Sequence, residues 1–190
     1  MLKRKLLTII FALFFWLSAC ESNKIGLEKT NIYFSLQNFI QIQENRLDSI
    51  KPKVNKTIFQ KGAKESKTLQ IKSWNYELRV FKEANINKAI YKDMYEVKDS
   101  LTSASLFRIH SAKNKDFHTQ ILTVEFDKNQ KKVKSIFVFF KKDDFLFQSE
   151  RRIYLTCNQG NLASYHIKGF QKGLFNSLTK YETQVVILDE

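Results

Sequence analysis

The sequence contains one proline and five glycines among its 190 residues, against seventeen phenylalanines. Because so few residues break or bend regular structure, most of the chain is predicted to form helices and strands. Phenylalanine side chains serve first to bury apolar area, so the interior is predicted to be aromatic. Two alternatives fit this composition: a Phe-filled core around one sheet, or an aromatic cleft for an acyl chain or another apolar ligand.

Residues that commonly carry catalysis or bind metals are also scarce. The chain has three histidines, His110, His118 and His166, and none of them belongs to an HExxH pattern. It also lacks a GxSxG elbow, a glycine-rich phosphate loop and a pair of cysteines at zinc-site spacing. His110 and His118 flank one predicted turn, where they form either a metal pair with Asp116 or two exposed polar groups. We therefore predict a non-enzymatic protein with no catalytic residue, no metal and no cofactor.

One apolar run lies at the start of the chain, and no later run approaches the roughly 20 residues that cross a bilayer. Lys3, Arg4 and Lys5 precede it, and residues 6–17 are apolar except Thr8. A basic start, a short apolar run and small residues at its end are typical of an export signal rather than a transmembrane helix.

The end of this run, Leu17-Ser18-Ala19-Cys20, resembles the lipobox of a bacterial lipoprotein signal. The resemblance implies cleavage before Cys20, a diacylglyceryl thioether on Cys20 and an acylated amino terminus. The alternative is an ordinary secretory signal that happens to contain a cysteine. In such lipoproteins an aspartate after the cysteine commonly retains the protein at the inner membrane. Glu21 stands there, which favours the outer membrane of the cell envelope.

The predicted organisation is a signal peptide over residues 1–19, a lipidated polar tether over 20–30, and a single domain over 31–190. With Cys20 lipidated, Cys157 is the only other thiol, so the fold must stand without an internal disulfide. Cys157 ends an apolar strand pattern and is interpreted as a small core residue rather than a nucleophile.

The chain is strongly basic, with a formal net charge of +13. For a protein in the cell envelope, the partners that this charge favours are the membrane itself, anionic lipid, an acidic glycan or an acidic envelope protein. Nucleic acid is not predicted, because an exported protein rarely meets it. Because the lysines are scattered over many predicted turns, a merely solvated surface is the alternative.

Hydrophobic periodicity predicts the order of elements. Residues 32–50 repeat at helical spacing up to Pro52, and a hairpin of strands 54–60 and 66–72 follows. Ser73 is a predicted N-cap for a second helix that carries Trp74 and Phe81 on one face. From about Tyr91 the period changes to two. The predicted class is α+β, a curved antiparallel β-meander sheet with two N-terminal helices packed on it.

Two strands of the meander lead to specific expectations. The almost continuously apolar stretch 133–140 predicts a central strand covered on both faces. Residues 145–156 predict a long strand that is bulged near residues 150–152. The side chains of Arg151 and Arg152 should point to opposite faces.

This order of elements is similar to that of small uncharacterised lipoproteins of Bacteroidota-type bacteria, a resemblance that carries over no activity. The sequence thus favours a membrane-anchored binding or interaction module, with an apolar or lipid-like ligand. The alternatives are a structural or accessory subunit of an envelope complex and an enzyme acting on envelope polymers, for instance with His166 near Glu150. The candidate ligand or partner surface consists of Trp74, Phe81, Phe137, Phe139, Arg151 and Arg152.

Overall fold

The computed structural model describes residues 32–175 and 177–188. Its helices are α1 (Leu36–Ile50), α2 (Trp74–Glu77) and α3 (Arg79–Glu83), with a 3-10 turn at Ala89–Tyr91. The described residues form nine strands: β1 (Lys53–Gln60), β2 (Ala63–Gln70), β3 (Tyr95–Leu101), β4 (Ser105–Ala112), β5 (Thr119–Asp127), β6 (Val133–Asp143), β7 (Phe147–Asn158), β8 (Asn161–Gly173) and β9 (Thr179–Ile187). The predicted signal peptide, the tether and Cys20 lie outside the described residues.

All nine strands belong to one open, curved sheet in the order β2-β1-β9-β8-β7-β6-β5-β4-β3. Every neighbouring pair is antiparallel, and strands β3 to β9 follow one another in the sheet as they do in the chain. The first hairpin joins the meander through β1, which pairs with the last strand, β9. In this pairing Val54 lies opposite Ile187. The prediction of an antiparallel meander within an α+β fold is confirmed in outline.

Helix α1 ends at Ile50 as predicted but begins at Leu36, four residues after the predicted start at residue 32. Ser35 caps its start, accepting a hydrogen bond from Asn38 N at 3.3 Å. At its end Lys51 adopts a left-handed conformation with φ 46°, and Pro52 follows directly. The buried face of the helix consists of Leu36, Ile40, Gln43, Glu44 and Leu47.

The second predicted helix is shorter and broken. Ser73 caps it as predicted, but the helix divides at Leu78 into α2 and α3, which have four and five residues. Helices of this length are marginal without tertiary contacts, so packing against the sheet decides their shape. The contacts include Lys56 Nζ, 2.7 Å from Glu77 Oε1, and a hydrogen bond from the Tyr165 hydroxyl to the same carboxylate.

Two expectations about the strands are wrong in detail. The first hairpin turns through only Lys61 and Gly62, both at positive φ (52° and 82°), as the twist of a tight hairpin requires, so Ala63 already belongs to β2. Strand β7 has no bulge near its arginines, because its register with β6 and β8 is unbroken there. Its register shift falls at Thr156 and Cys157 instead.

The helices all pack on one face of the sheet, here called the inner face; the opposite face is the outer face. The buried cluster joins α1, α2 and α3 to inward residues of the strands, among them Val138, Ile153 and Tyr165. Strand β6 is therefore covered on one face only. Its residues alternate between buried Ile136, Val138 and Phe140 and half-buried outward residues, which corrects the expectation of cover on both faces.

Candidate binding surface

The structure divides the predicted surface residues between the core and the two faces of the sheet. Trp74 and Phe81 are fully buried against the inner face, and the Phe81 ring meets Tyr165 edge-on with 5.2 Å between centroids. A helix places its apolar stripe on the core, so these side chains fill the interior instead of lining a ligand surface. Their place in a ligand surface was predicted wrongly.

Phe137, Phe139 and Arg152 lie together on the outer face. The Phe137 ring contacts Tyr154 of the neighbouring strand, with centroids 5.0 Å apart. The Arg152 guanidinium lies 5.6 Å from the Phe139 ring centroid and 2.9 Å from a Glu150 carboxylate oxygen. These three predicted residues form part of an exposed aromatic and charged surface.

Arg151 points to the inner face, so the two arginines do lie on opposite faces, as predicted. Its guanidinium stacks 4.4 Å from the Phe140 ring centroid and reaches Glu83 at 3.2 Å. Its Nε is buried without a hydrogen-bond partner among the described residues. Arg151 thus joins α3 to the sheet and does not share a surface with Arg152.

The outer face contains a cleft of about 370 Å³ over strands β1, β9, β8 and β7. We call it the outer cleft. Its lining residues are Phe59, Glu150, Arg152, Lys168, Gly169, Phe170, Lys180, Tyr181 and Glu182.

Charge is unevenly neutralised in the outer cleft. Arg152 is paired with Glu150, and Lys168 lies 4.0 Å from Glu182. Lys180 makes no ion pair with any residue in the described ranges. The cleft thus combines apolar walls with one cation that is free to meet an anion.

Sequence reasoning identified only Arg152 among the lining residues. Phe59 lies more than 100 residues before Phe170, and the pairing of β1 with β9 that brings their strands together leaves no local signal in the sequence. A local signal was available only for β8, where Lys168, Phe170 and Lys172 alternate on one face and indicate a basic and aromatic surface.

Gly169 allows the strands beneath the outer cleft to approach closely. A Cβ at this position would lie 2.2 Å from the Glu150 carbonyl oxygen and 3.1 Å from the Tyr181 hydroxyl. Such contacts are shorter than van der Waals separation, so only glycine fits without a shift of the backbone.

A larger hollow of about 640 Å³ lies at the other edge of the sheet, between the start of the described chain and strands β3 and β4. Its charged groups, Arg108 and Asp99, form two hydrogen bonds of 2.9 and 2.7 Å with each other. Ile32, the first described residue, lies in its wall, so the described residues do not define the whole hollow.

The histidines do not assemble into a reactive centre within the described ranges. His110 is buried, its Nδ1 donates to Leu122 O at 3.1 Å, and burial lowers its pKa. His118 packs on Phe140 instead. No group of three or more histidine, cysteine or acidic side chains in this part of the chain could hold a metal ion.

The surroundings of His166 and Cys157 are typical of structural residues rather than of catalytic ones. His166 Nε2 lies 2.8 Å from Glu182 Oε1, whereas the notional partner Glu150 is paired with Arg152. Cys157 is half-buried, and burial raises the pKa of its thiol to about 12. A thiol with so high a pKa is a poor nucleophile at neutral pH. Cys157 was predicted to be a core residue, but it is not part of the buried cluster.

Among the described residues no helix has the length and apolar character needed to span a membrane. The chain matches no protein-family model, no curated protein and no solved structure.

Proposed function

We propose that this chain is a lipid-anchored, non-enzymatic binding module of the bacterial cell envelope, and that its outer cleft binds an amphiphile with an anionic head group. The observation that carries the proposal is the outer cleft itself. It lies on the face that no described helix covers, and it combines two phenylalanines with the free cation of Lys180.

The chemistry of the lining defines the ligand class. Phe59 and Phe170 offer apolar walls for an alkyl or planar group, and Lys180 offers a charged donor for a carboxylate or phosphate. Ligand sites of about 300–1,000 Å³ are typical for small molecules. At about 370 Å³ the outer cleft suits a single acyl chain or a group of similar size better than a complete two-chain lipid.

Binding can be tested with a fluorescent dodecanoate and its methyl ester as the uncharged counterpart. The acid should bind saturably and more tightly than the ester. Lys180→Ala should weaken binding of the acid about tenfold, because a charge-assisted hydrogen bond is lost. Lys172→Ala is the matched control, since Lys172 is exposed on the same face but outside the lining.

Two results would contradict this function for the outer cleft. One is the absence of saturable dodecanoate binding. The other is an equal loss of affinity in Lys180→Ala and Lys172→Ala, which would indicate a diffuse attraction to the basic surface.

The anchor is tested separately by the intact mass of the protein extracted from its own envelope. Acylation at Cys20 requires the loss of residues 1–19 and the added mass of two or three acyl chains. Cys20→Ser should abolish both changes. An unacylated mature chain would point to an ordinary secretory signal and would refute the anchor.

A second candidate function, an accessory subunit of an envelope complex, is favoured by the part of the outer face beyond the outer cleft. There Phe137 and Tyr154 form an aromatic pair, and Tyr154 is 43% exposed. A photo-crosslinking residue in place of Tyr154, used in the intact envelope, should then give a discrete protein adduct. The same residue in place of exposed Tyr76, on α2 of the opposite face, should give none.

A further inference from the structure

Two neighbouring loops at one end of the sheet present large apolar side chains to solvent. Phe145 and Leu146 lie between β6 and β7 and are 86% and 62% exposed. Leu174, Phe175 and Leu178 lie between β8 and β9, and Phe175 is 94% exposed. Leu174 N donates to Leu146 O at 3.0 Å, so the two loops touch. We call these five residues the apolar tips.

The exposure of the first loop follows from a defined turn. The Asp144 carboxylate accepts hydrogen bonds from Leu146 N at 3.0 Å and Phe147 N at 2.8 Å, and Asp144 N donates to Phe147 O at 3.0 Å. These hydrogen bonds define the turn, and they leave Phe145 and Leu146 exposed to solvent. Surface loops are ordinarily polar, and contiguous exposed apolar patches mark contact sites.

Lysines surround the apolar tips. Lys141 and Lys142 precede the first loop and are paired with Asp143 and Asp144 at 3.1 and 3.3 Å, so the acidic charge of this turn is already compensated. Lys172 and Lys180, which flank the second loop, make no ion pair in the described part of the chain.

The same end of the sheet carries the turn between β1 and β2. Lys61 lies in this turn and Lys64 near the start of β2, close to the start of β9, since Gln60 pairs with Tyr181. Lysines therefore lie along this end of the sheet on both sides of the apolar tips.

We propose that the apolar tips insert into the boundary between head groups and acyl chains of an anionic lipid bilayer. Phenylalanine and leucine are suited to shallow burial at this depth. The positive charge of the neighbouring lysines matches the negative potential of the bilayer surface. Lysine stems can also lie along apolar surface while the ammonium stays in water. The occupant is a bilayer because an extended anionic surface with an apolar interior meets both the protruding apolar tips and the lysines along the same end of the sheet.

This contact is independent of the proposed ligand and adds to the proposed anchor. Phe170 and Lys180 of the outer cleft lie on the strands that carry the second loop, so insertion would bring the cleft close to the bilayer surface. The dodecanoate test uses no vesicles, and the insertion test uses no free ligand. Each proposal can therefore fail without the other.

Insertion can be measured with an environment-sensitive NBD probe on single introduced cysteines in the full chain carrying Cys20→Ser. Leu146→Cys reports on the tips. Leu101→Cys is the matched control, since Leu101 is 73% exposed at the opposite end of the sheet. Cys157 should stay unlabelled because it is half-buried and has a pKa of about 12. Both variants share one N-terminal segment, so its affinity for lipid cancels in the comparison.

On vesicles of phosphatidylglycerol and phosphatidylcholine in equal parts, the Leu146 probe should shift to the blue and be quenched by brominated acyl chains. The Leu101 probe should do neither, and pure phosphatidylcholine should give a weaker response at Leu146. Lys172→Glu should reduce the Leu146 signal several-fold, whereas Lys128→Glu at the opposite end should not. The proposal would be overturned if the Leu146 probe stayed in an aqueous environment while the chain was bound to the vesicles. It would also be overturned if the Leu146 and Leu101 probes responded alike.

Discussion

Gln43 fixes the position of α1 over the sheet, and its replacement gives the sharpest test of the fold. Its side chain is buried, accepts from Leu162 N at 2.8 Å and donates to Gly160 O at 3.2 Å. Gln43→Met keeps the length and the helix propensity but leaves both backbone groups without a partner. A buried polar group that loses its hydrogen bond costs about 1–3 kcal/mol. The two groups together should reduce the free energy of unfolding by about 2–4 kcal/mol, which is less than two full penalties because the bond to Gly160 O is only part-buried.

The measurement is equilibrium unfolding in urea. If the dependence of the unfolding free energy on urea concentration is the same in all variants, a shift of the midpoint reports a change in stability. Gln41→Met is the matched control on the same helix, because Gln41 is exposed. Its effect should stay within about 0.5 kcal/mol. Gln43→Glu should be intermediate, since it retains the acceptor for Leu162 N but places a carboxylate against the Gly160 carbonyl. Equal effects of Gln43→Met and Gln41→Met would refute the argument that α1 is held by these bonds.

Three further predictions concern the core. Phe81→Ala should cost about 3–5 kcal/mol of unfolding free energy, whereas Tyr76→Ala on the exposed side of α2 should cost under about 0.5 kcal/mol in the same urea assay. Gly169→Ala should lower stability by about 1–3 kcal/mol, because its methyl would meet the Glu150 carbonyl; an unchanged midpoint would contradict this. Burial lowers the pKa of His110, so protons favour the unfolded chain, and stability should fall below about pH 6.5. His110→Phe should flatten that fall in urea midpoints measured down to about pH 5, and an unchanged slope would refute it.

The sequence predicted those parts of the fold that depend on local rules. Ser73 caps a helix as predicted, because its hydroxyl meets a free backbone N–H group, and this pattern is visible in a few residues. The change to a period of two from about Tyr91 is equally local, whereas the cover of β6 on one face only was not predicted. The break at Leu78 was not predictable, because packing against the sheet decides it.

The candidate surface was predicted less well, for a related reason. Trp74, Phe81, Phe137 and Phe139 all have the same large apolar side chains, and local periodicity cannot tell which face of a sheet the helices will cover. Coverage depends on the path of α1, α2 and α3 over the strands. Once that path is known, Trp74 and Phe81 belong to the core, while Phe137 and Phe139 belong to the exposed face.

The two proposed membrane contacts differ in what they can control. An anchor at a chain terminus limits the distance between the domain and the bilayer, but it leaves the orientation of the domain free. Insertion of Phe145 and Phe175 would remove that freedom, because both residues lie on loops at one end of the same sheet. The strands would then stand upright on the bilayer, with Phe170 and Lys180 at the end of the outer face that is nearest the lipid. A lipid-derived amphiphile would reach the outer cleft without crossing bulk water, which is the expected advantage of this orientation.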